Sequence, residues 1–294
     1  MNQVADASPR TEPSRRTIWR DTFQGPAGAP PDPALWHVVT GRPFGAGIES
    51  HADDPAHVAL DGAGRLRITA TAEPDPDGGG PLYRAGWIET VRDDLLPPAG
   101  GALRISATLR TAPGPGLDCA LWTWGAQLRH RGDEDPVQAW YRAGEIDVLE
   151  ALGSEPDRVW GAVHSPPCRQ IPSLGMGAST ATPDAAALSD GFHTYTAVWR
   201  RDPDSITWLL DGRPFLRLTP QDTTPEGWLF NQPVYLCLAV IIGSPGGPVP
   251  PGEPDPRLLP AELLVEEISI VEETGTIEET GAIDETGAIE EPTG

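Results

Sequence analysis

The sequence predicts an all-β protein, an antiparallel sandwich or barrel, and three observations carry that expectation. The 33 glycines and 34 prolines recur between short β-prone segments, the pattern of strands punctuated by turns. At 294 residues with 38% hydrophobic content the chain can bury the core of one large β domain or two ordinary ones. Several segments also alternate apolar and polar residues with a period of two. The clearest is Ala102 to Arg110, where Leu103, Ile105, Ala107 and Leu109 oppose Arg104, Ser106, Thr108 and Arg110.

Taken in order, residues 1–16 lack periodicity and are expected to form a disordered leader. Order is expected from Thr17, with Leu35 to Val39 as a strand after a Gly/Pro-rich loop. His57 to Leu60, a turn at Asp61-Gly62 and Arg65 to Ala70 form a hairpin signal. Gly78-Gly79-Gly80 marks a flexible loop before the segment Tyr83 to Thr90. Asp118 to Gly125 reads as a strand, with Trp122 and Trp124 on one face and Leu121 and Thr123 on the other. A loop through Asp133 and Pro136 then leads to Trp140. Val159 to His164 is a strand, and the small-residue stretch Gln170 to Ser189 reads as loop. Phe192 to Trp199, Ser205 to Leu210, Phe215 to Leu218, Pro233 to Ile242 and Leu263 to Val271 complete the strands. Residues 272–294 form a six-residue acidic repeat with one Ile per unit, expected to be a disordered tail because it cannot offset its ordering entropy.

Charge and cysteine content narrow the function. A formal charge of -22, with arginine as the only basic residue type besides histidine, opposes binding to nucleic acid or an anionic membrane. A neutral polymer is the more natural ligand. Cys119, Cys168 and Cys237 lack metal-ligand spacing, so a zinc site or a disulfide framework is not indicated, although one bridge remains open. The first twenty residues contain no apolar run of secretory length, and no segment approaches the roughly 18 apolar residues of a membrane span. The chain thus reads as soluble and not exported by the general secretory route.

The most informative stretch is Gly144-Glu145-Ile146-Asp147-Val148-Leu149-Glu150, with three carboxylates inside an apolar run. Alternation puts Glu145 and Asp147 on one face and Glu150 on the other. A β-bulge near Val148-Leu149 restores the phase and brings all three to one surface. Two carboxyls flanking a sugar are what glycosidic cleavage needs, and a third can set their protonation.

These residues resemble the bulged E-x-D-x-x-E signature of glycoside hydrolase family 16, in its laminarinase-like form. Further segments resemble the family in the same order, over about residues 17–271. They include Asp21-Thr22-Phe23, Gly62 to Ala70, Gly116 to Gly125, Trp140 five residues before Glu145, Gly161-Ala162-Val163-His164, Phe192 to Tyr195, Gln232 to Leu236 and Leu263 to Ile270. The resemblance implies a concanavalin A-like β-jelly roll of two curved antiparallel sheets with a concave substrate groove. It implies a retaining endo-β-glucanase acting on β-1,3-linked glucan. The alternatives are another family 16 activity on mixed-linkage glucan or galactan, a transglycosylase, or a non-catalytic carbohydrate-binding module.

By the same resemblance Glu145 is the nucleophile, Glu150 the general acid/base and Asp147 the assisting residue. Trp122, Trp140, Trp124 and His164 are the candidate substrate contacts, and His193, Trp199 and Trp208 are assigned to packing. The departures are a cleft Asn replaced by Ala239, a Trp by Asp118, an Arg by Trp87, and a G-N-x-E turn by Gly45-Ala46-Gly47-Ile48. They remove donors for sugar hydroxyls and leave substrate choice open. No cofactor is required. The Ca2+ site of some members is doubtful, because Thr22 and Glu266 replace the expected Glu and Asp. The expected partner is a polysaccharide substrate and the expected state a monomer. The family's habit is extracellular action, in tension with the N-terminus.

Overall fold

A computed structural model describes residues 14–165, 176–223, 227–243 and 254–275. The described residues form two β-sheets, the architecture expected of a β-jelly roll. The first sheet contains Ser14–Asp21 (β1), Ser50–His51 (β3), Val58–Leu60 (β4), Leu66–Pro74 (β5), Pro81–Ala85 (β6), Ala102–Arg110 (β8), His193–Arg200 (β13), Ser205–Leu210 (β14), Arg213–Leu218 (β15) and Ala261–Thr274 (β17). The second contains Trp36–Val38 (β2), Trp87–Thr90 (β7), Leu117–Gly125 (β9), Glu145–Leu152 (β10), Arg158–His164 (β11), Met176–Ala181 (β12) and Val234–Ile242 (β16). Its order is β12-β11-β10-β9-β16-β7-β2, so the carboxylate strand β10 lies between β9 and β11. All pairings but the short parallel β3–β6 are antiparallel. No helix among the described residues is long and apolar enough to cross a membrane.

Alternation explains why the sheets stack. The inward sides of β8, β9, β10, β16 and β17 supply Leu103, Ile105, Leu121, Ile146, Leu236, Leu238, Ile268 and Ile270 to one continuous core. Each such Leu or Ile contributes about 1.5–3 kcal/mol on burial. Trp199, Trp208 and Tyr195 are among its largest wholly buried side chains. Strands β9 and β16 are buried at every position, so their second face is covered as well. That covering forms part of the candidate site.

Several elements differ from the sequence reading. The stretch Tyr83 to Thr90 is two strands in different sheets, broken at Gly86. A Cβ there would come within 2.5 Å of Val58 Cγ2 and 2.6 Å of His57 O, so only glycine lets the chain cross. The order expected from 17 to 271 extends beyond both boundaries, because Ser14 pairs with Thr274. Arg15 and Arg104 both reach Glu273, at 3.1 and 2.9 Å, which turns an acid of the repeat into a buried anchor. Met176–Ala181 is an edge strand inside the stretch read as loop, held to β11 by backbone pairing that its small side chains do not advertise. Between β9 and β10, Ala126–Arg129 (α1) and Pro136–Ala143 (α2) replace the expected loop. Asp135 caps α2 by accepting from Gln138 N, with Pro136 in the first turn. The leader before Ser14, Cys168 and the repeat beyond Gly275 lie outside the described residues.

Candidate active site

Strand β10 carries the extra residue that the three-carboxylate reading requires. Against β9, Asp147 pairs with Trp122, the next pairs are Leu149 with Leu121 and Glu150 with Ala120, and Val148 is left over. Against β11, Asp147 pairs with Ala162 and Glu150 with Trp160, so Val148 and Leu149 together oppose Gly161 alone. Val148 and Leu149 both turn into the core. Glu145, Asp147 and Glu150 therefore share the outer face of the second sheet. Beside the bulge the Asp147 carbonyl accepts the indole N–H of Trp208 at 2.6 Å. Trp208 reaches across from β14, so its role exceeds packing. Gly161 makes room for it, since a Cβ would lie 2.5 Å from the Trp208 ring.

Helix α2 delivers Trp140 to the same place. The helix ends at Gly144, whose N–H donates to Trp140 O, and β10 begins at once. The Trp140 indole N–H donates to the Glu145 carboxylate. Its ring lies 5.6 Å from His164 and 5.8 Å from Phe44, centroid to centroid. His164, paired with Glu145 in register, brings Nε2 to 3.2 Å from Asp147 Oδ2. That distance gives a strong charge attraction, although the Asp147 oxygen lacks an aligned hydrogen bond.

The crowding of acids raises both glutamates above the ordinary carboxylate range. Burial would lower the His164 pKa, but Asp147 and the charges of Glu145 and Glu150 outweigh it and raise the imidazole to about 10. Burial first, then the charge of Asp147, pushes Glu145 up to about 8, while His164 and the Trp140 N–H pull against the rise. Glu150 is driven well above the ordinary carboxylate range by burial, Asp147 and Asp118, with His164 opposing but no indole donor in support. The Trp140 N–H thus opposes at Glu145 a rise that burial and like charge cause at both glutamates.

Trp122 and Trp124 stand on the same outer face, but in this structure neither offers a bare ring. They pack with Trp87 at centroid separations of 4.9, 5.4 and 5.6 Å, and only 3% of Trp122 and 6% of Trp124 is exposed. Phe44 covers Trp124 from the loop after β2, at 5.9 Å. That loop is stitched to β16: Ile48 N donates to Ile242 O, and the buried Glu49 carboxylate accepts from Ile242 N and Gly47 N. Ala239 and Trp87, both departures noted above, are cross-strand partners within this covered half.

Two further residues of the face escaped the sequence reading as contributors. Asp118 supplies a fourth carboxyl, 3% exposed, with Oδ1 unpartnered among the described residues. Burial, Asp147 and Glu49 raise it to about 7. Trp160 lies directly across from Glu150 and is partly exposed. The alternation that places His164 on this face places Trp160 there too, and was the available signal. Near the doubtful cation site, the Asp21 carboxylate accepts from Phe23 N at 2.8 Å and Trp36 Nε1 at 2.7 Å, so both oxygens serve protein donors. Among the described residues no group of three or more His, Cys, Asp or Glu is arranged to hold a metal. Cys119 and Cys237 are free and buried.

Comparison with known proteins agrees with this geometry. Residues 103–246 match the profile of the glycosyl hydrolases family 16. The chain is 28% identical over 248 residues to a beta-glucanase of Rhodothermus marinus, covering 80% of this chain and 78% of that protein. It is 27% identical over 249 residues to glucan endo-1,3-beta-glucosidase A1 of Niallia circulans, covering 77% of this chain but only 34% of that longer relative. A solved endo-1,3-beta-glucanase from Streptomyces sioyaensis superposes with a TM-score of 0.74 at 29% identity, over 92% of this chain and 100% of that one. The bulged acidic strand, the two-sheet fold and these relatives together support a laminarinase-like protein of glycosyl hydrolases family 16.

Proposed function

We propose that the protein is a retaining endo-β-glucanase that hydrolyses β-1,3-linked glucan through a covalent glycosyl-enzyme intermediate. The observation that carries the reading is the bulge in β10, which gives Glu145, Asp147 and Glu150 a common face. In the first step the Glu145 carboxylate attacks the anomeric carbon while Glu150 gives its proton to the departing oxygen. In the second, Glu150 accepts a proton from water, which releases the sugar from Glu145. The donors around the two glutamates support this division of labour. The Trp140 N–H and the His164 cation favour a charged Glu145, and the neighbouring negative charges favour a protonated Glu150. Asp147 assists by holding His164 close and by biasing both glutamates.

The names of the relatives support the β-1,3 linkage. A second reading, a carbohydrate-binding module without turnover, draws support from the covered Trp87, Trp122 and Trp124 half of the face. Release of reducing ends from laminarin, mixed-linkage glucan and agar separates the readings. Fastest release from laminarin is expected. Binding without release from any polymer would select the module and overturn the proposal.

A further inference from the structure

The outer face of the second sheet is divided at β10. On the β9, β16 and β7 side, Trp124, Trp122, Trp87, Tyr235, Cys237 and Ala239 form one buried cluster. On the β11 and β12 side the face is only partly covered. One register row there runs from Glu150 through Trp160 to Ser179, and the next from Asp147 through Ala162 to Gly177. Trp160 and Ser179 are partly exposed and Gly177 is exposed. The side of the catalytic strand that remains open thus has a large aromatic ring beside the acid, with small residues alongside.

The Trp160 ring is also held in place. Its indole N–H donates to Glu155 Oε2 at 2.8 Å, from the turn that precedes the strand. Its neighbours Val159 and Gly161 face the core, Val159 within the buried cluster and Gly161 against Trp208, so the strand cannot rotate Trp160 away. A flat ring with its polar edge already satisfied presents an apolar face. The C–H face of a pyranose complements such a surface, and a ring fixed beforehand loses little entropy on contact.

We propose that Trp160 is a specificity-determining residue that stacks a glucosyl unit next to the bond being cleaved, and that the β11–β12 half of the face carries most of the aromatic contact with substrate. The assignment rests on the glucanase reading above. Trp122 and Trp124 then serve chiefly as the apolar support that closes the other half, and Trp160 takes the platform role.

The test is steady-state kinetics on β-1,3-linked gluco-oligosaccharides of increasing length, with Trp160→Ala, Trp160→Phe and wild type, each checked for folding by thermal melting. Trp160→Ala is expected to raise KM roughly tenfold for the longer oligosaccharides, the order of an aromatic stacking contact, with a smaller change in kcat. Trp160→Phe keeps a ring and is expected to recover most of that loss. A folded Trp160→Ala enzyme with unchanged KM overturns the assignment and leaves the glucanase reading intact. So does a Trp160→Phe variant that is folded yet as impaired as Trp160→Ala. If wild-type protein neither cleaves nor binds the oligosaccharides, the glucanase reading falls and takes the assignment with it.

Discussion

Replacing Trp208 with Phe removes the clamp on the bulge while leaving the three carboxyls proposed for catalysis untouched. Trp208 is wholly buried, and its N–H is the donor that the structure gives to the Asp147 carbonyl. Phe takes this donor away from a buried carbonyl, at a cost of about 1–3 kcal/mol. The smaller ring also leaves a void against Gly161, which adds roughly 1 kcal/mol if the site relaxes in part. A total of about 2–4 kcal/mol leaves a domain of ordinary stability folded at room temperature. The functional effect should be larger than the stability alone implies. The carbonyl belongs to the residue between the two working glutamates, and a misplacement of about 1 Å can cost on the order of a hundredfold in rate. Trp199 provides the control, because it is equally buried and donates to Phe230 O at 2.9 Å, away from the bulge. Urea denaturation and kcat on laminarin would be measured for both Phe variants. Similar stability losses with a fall in kcat for Trp208→Phe alone are expected. An unchanged kcat in Trp208→Phe, or an equal fall in Trp199→Phe, would refute a catalytic role for the clamp.

The same face yields predictions for stability and for pH dependence. Trp122→Ala removes the middle of the Trp87–Trp122–Trp124 cluster, so urea denaturation should show about 3–5 kcal/mol of lost stability, the usual cost of emptying a core aromatic site. A stable Trp122→Ala enzyme with a raised KM would instead make Trp122 a platform. In the pH profile, Glu145 must be ionised to attack, and its pKa is raised to about 8, so the acid limb of kcat/KM should lie above the ordinary carboxylate range. His164→Asn removes a cation that lowers the Glu145 pKa and should move that limb to still higher pH. His164 itself is raised in the fold, so its contribution to stability is complete below its unfolded pKa of about 6.5 and is lost as pH climbs toward about 10. A limb unmoved by His164→Asn would contradict this electrostatic account.

The acidic strand β10 was the most legible part of the sequence. Three acids in a short apolar run can share a face only through a bulge, and the register shows that bulge beside Val148 and Leu149. The alternation of β8 and the hairpin between β4 and β5 were equally readable, because period and turn chemistry are local. Coverage of a face was not legible. Alternation placed Trp122 and Trp124 correctly on the outer face, yet says nothing about the loop carrying Phe44 and Glu49, which closes over that half from far away in sequence. Helix α2 was missed because its eight residues give too short a period to recognise, despite the Asp135-Pro136 start. The split at Gly86 was missed for a similar reason: the clash that demands glycine comes from Val58 and His57, which only the fold brings near.

The central claim is that Glu145 forms the covalent bond to sugar and Glu150 supplies the proton. The most direct test incubates the protein with a 2-deoxy-2-fluoro β-1,3-linked glucobioside bearing a good leaving group, followed by proteolysis and peptide mass spectrometry. Fluorine at C2 slows breakdown of the intermediate enough for it to accumulate, and the good leaving group allows the first step without much help from the acid. One added disaccharide mass is expected on the peptide that contains Glu145, fragmenting to that residue, and none in Glu145→Gln. A label on Glu150 or Asp147, or an undiminished label in Glu145→Gln, would contradict it.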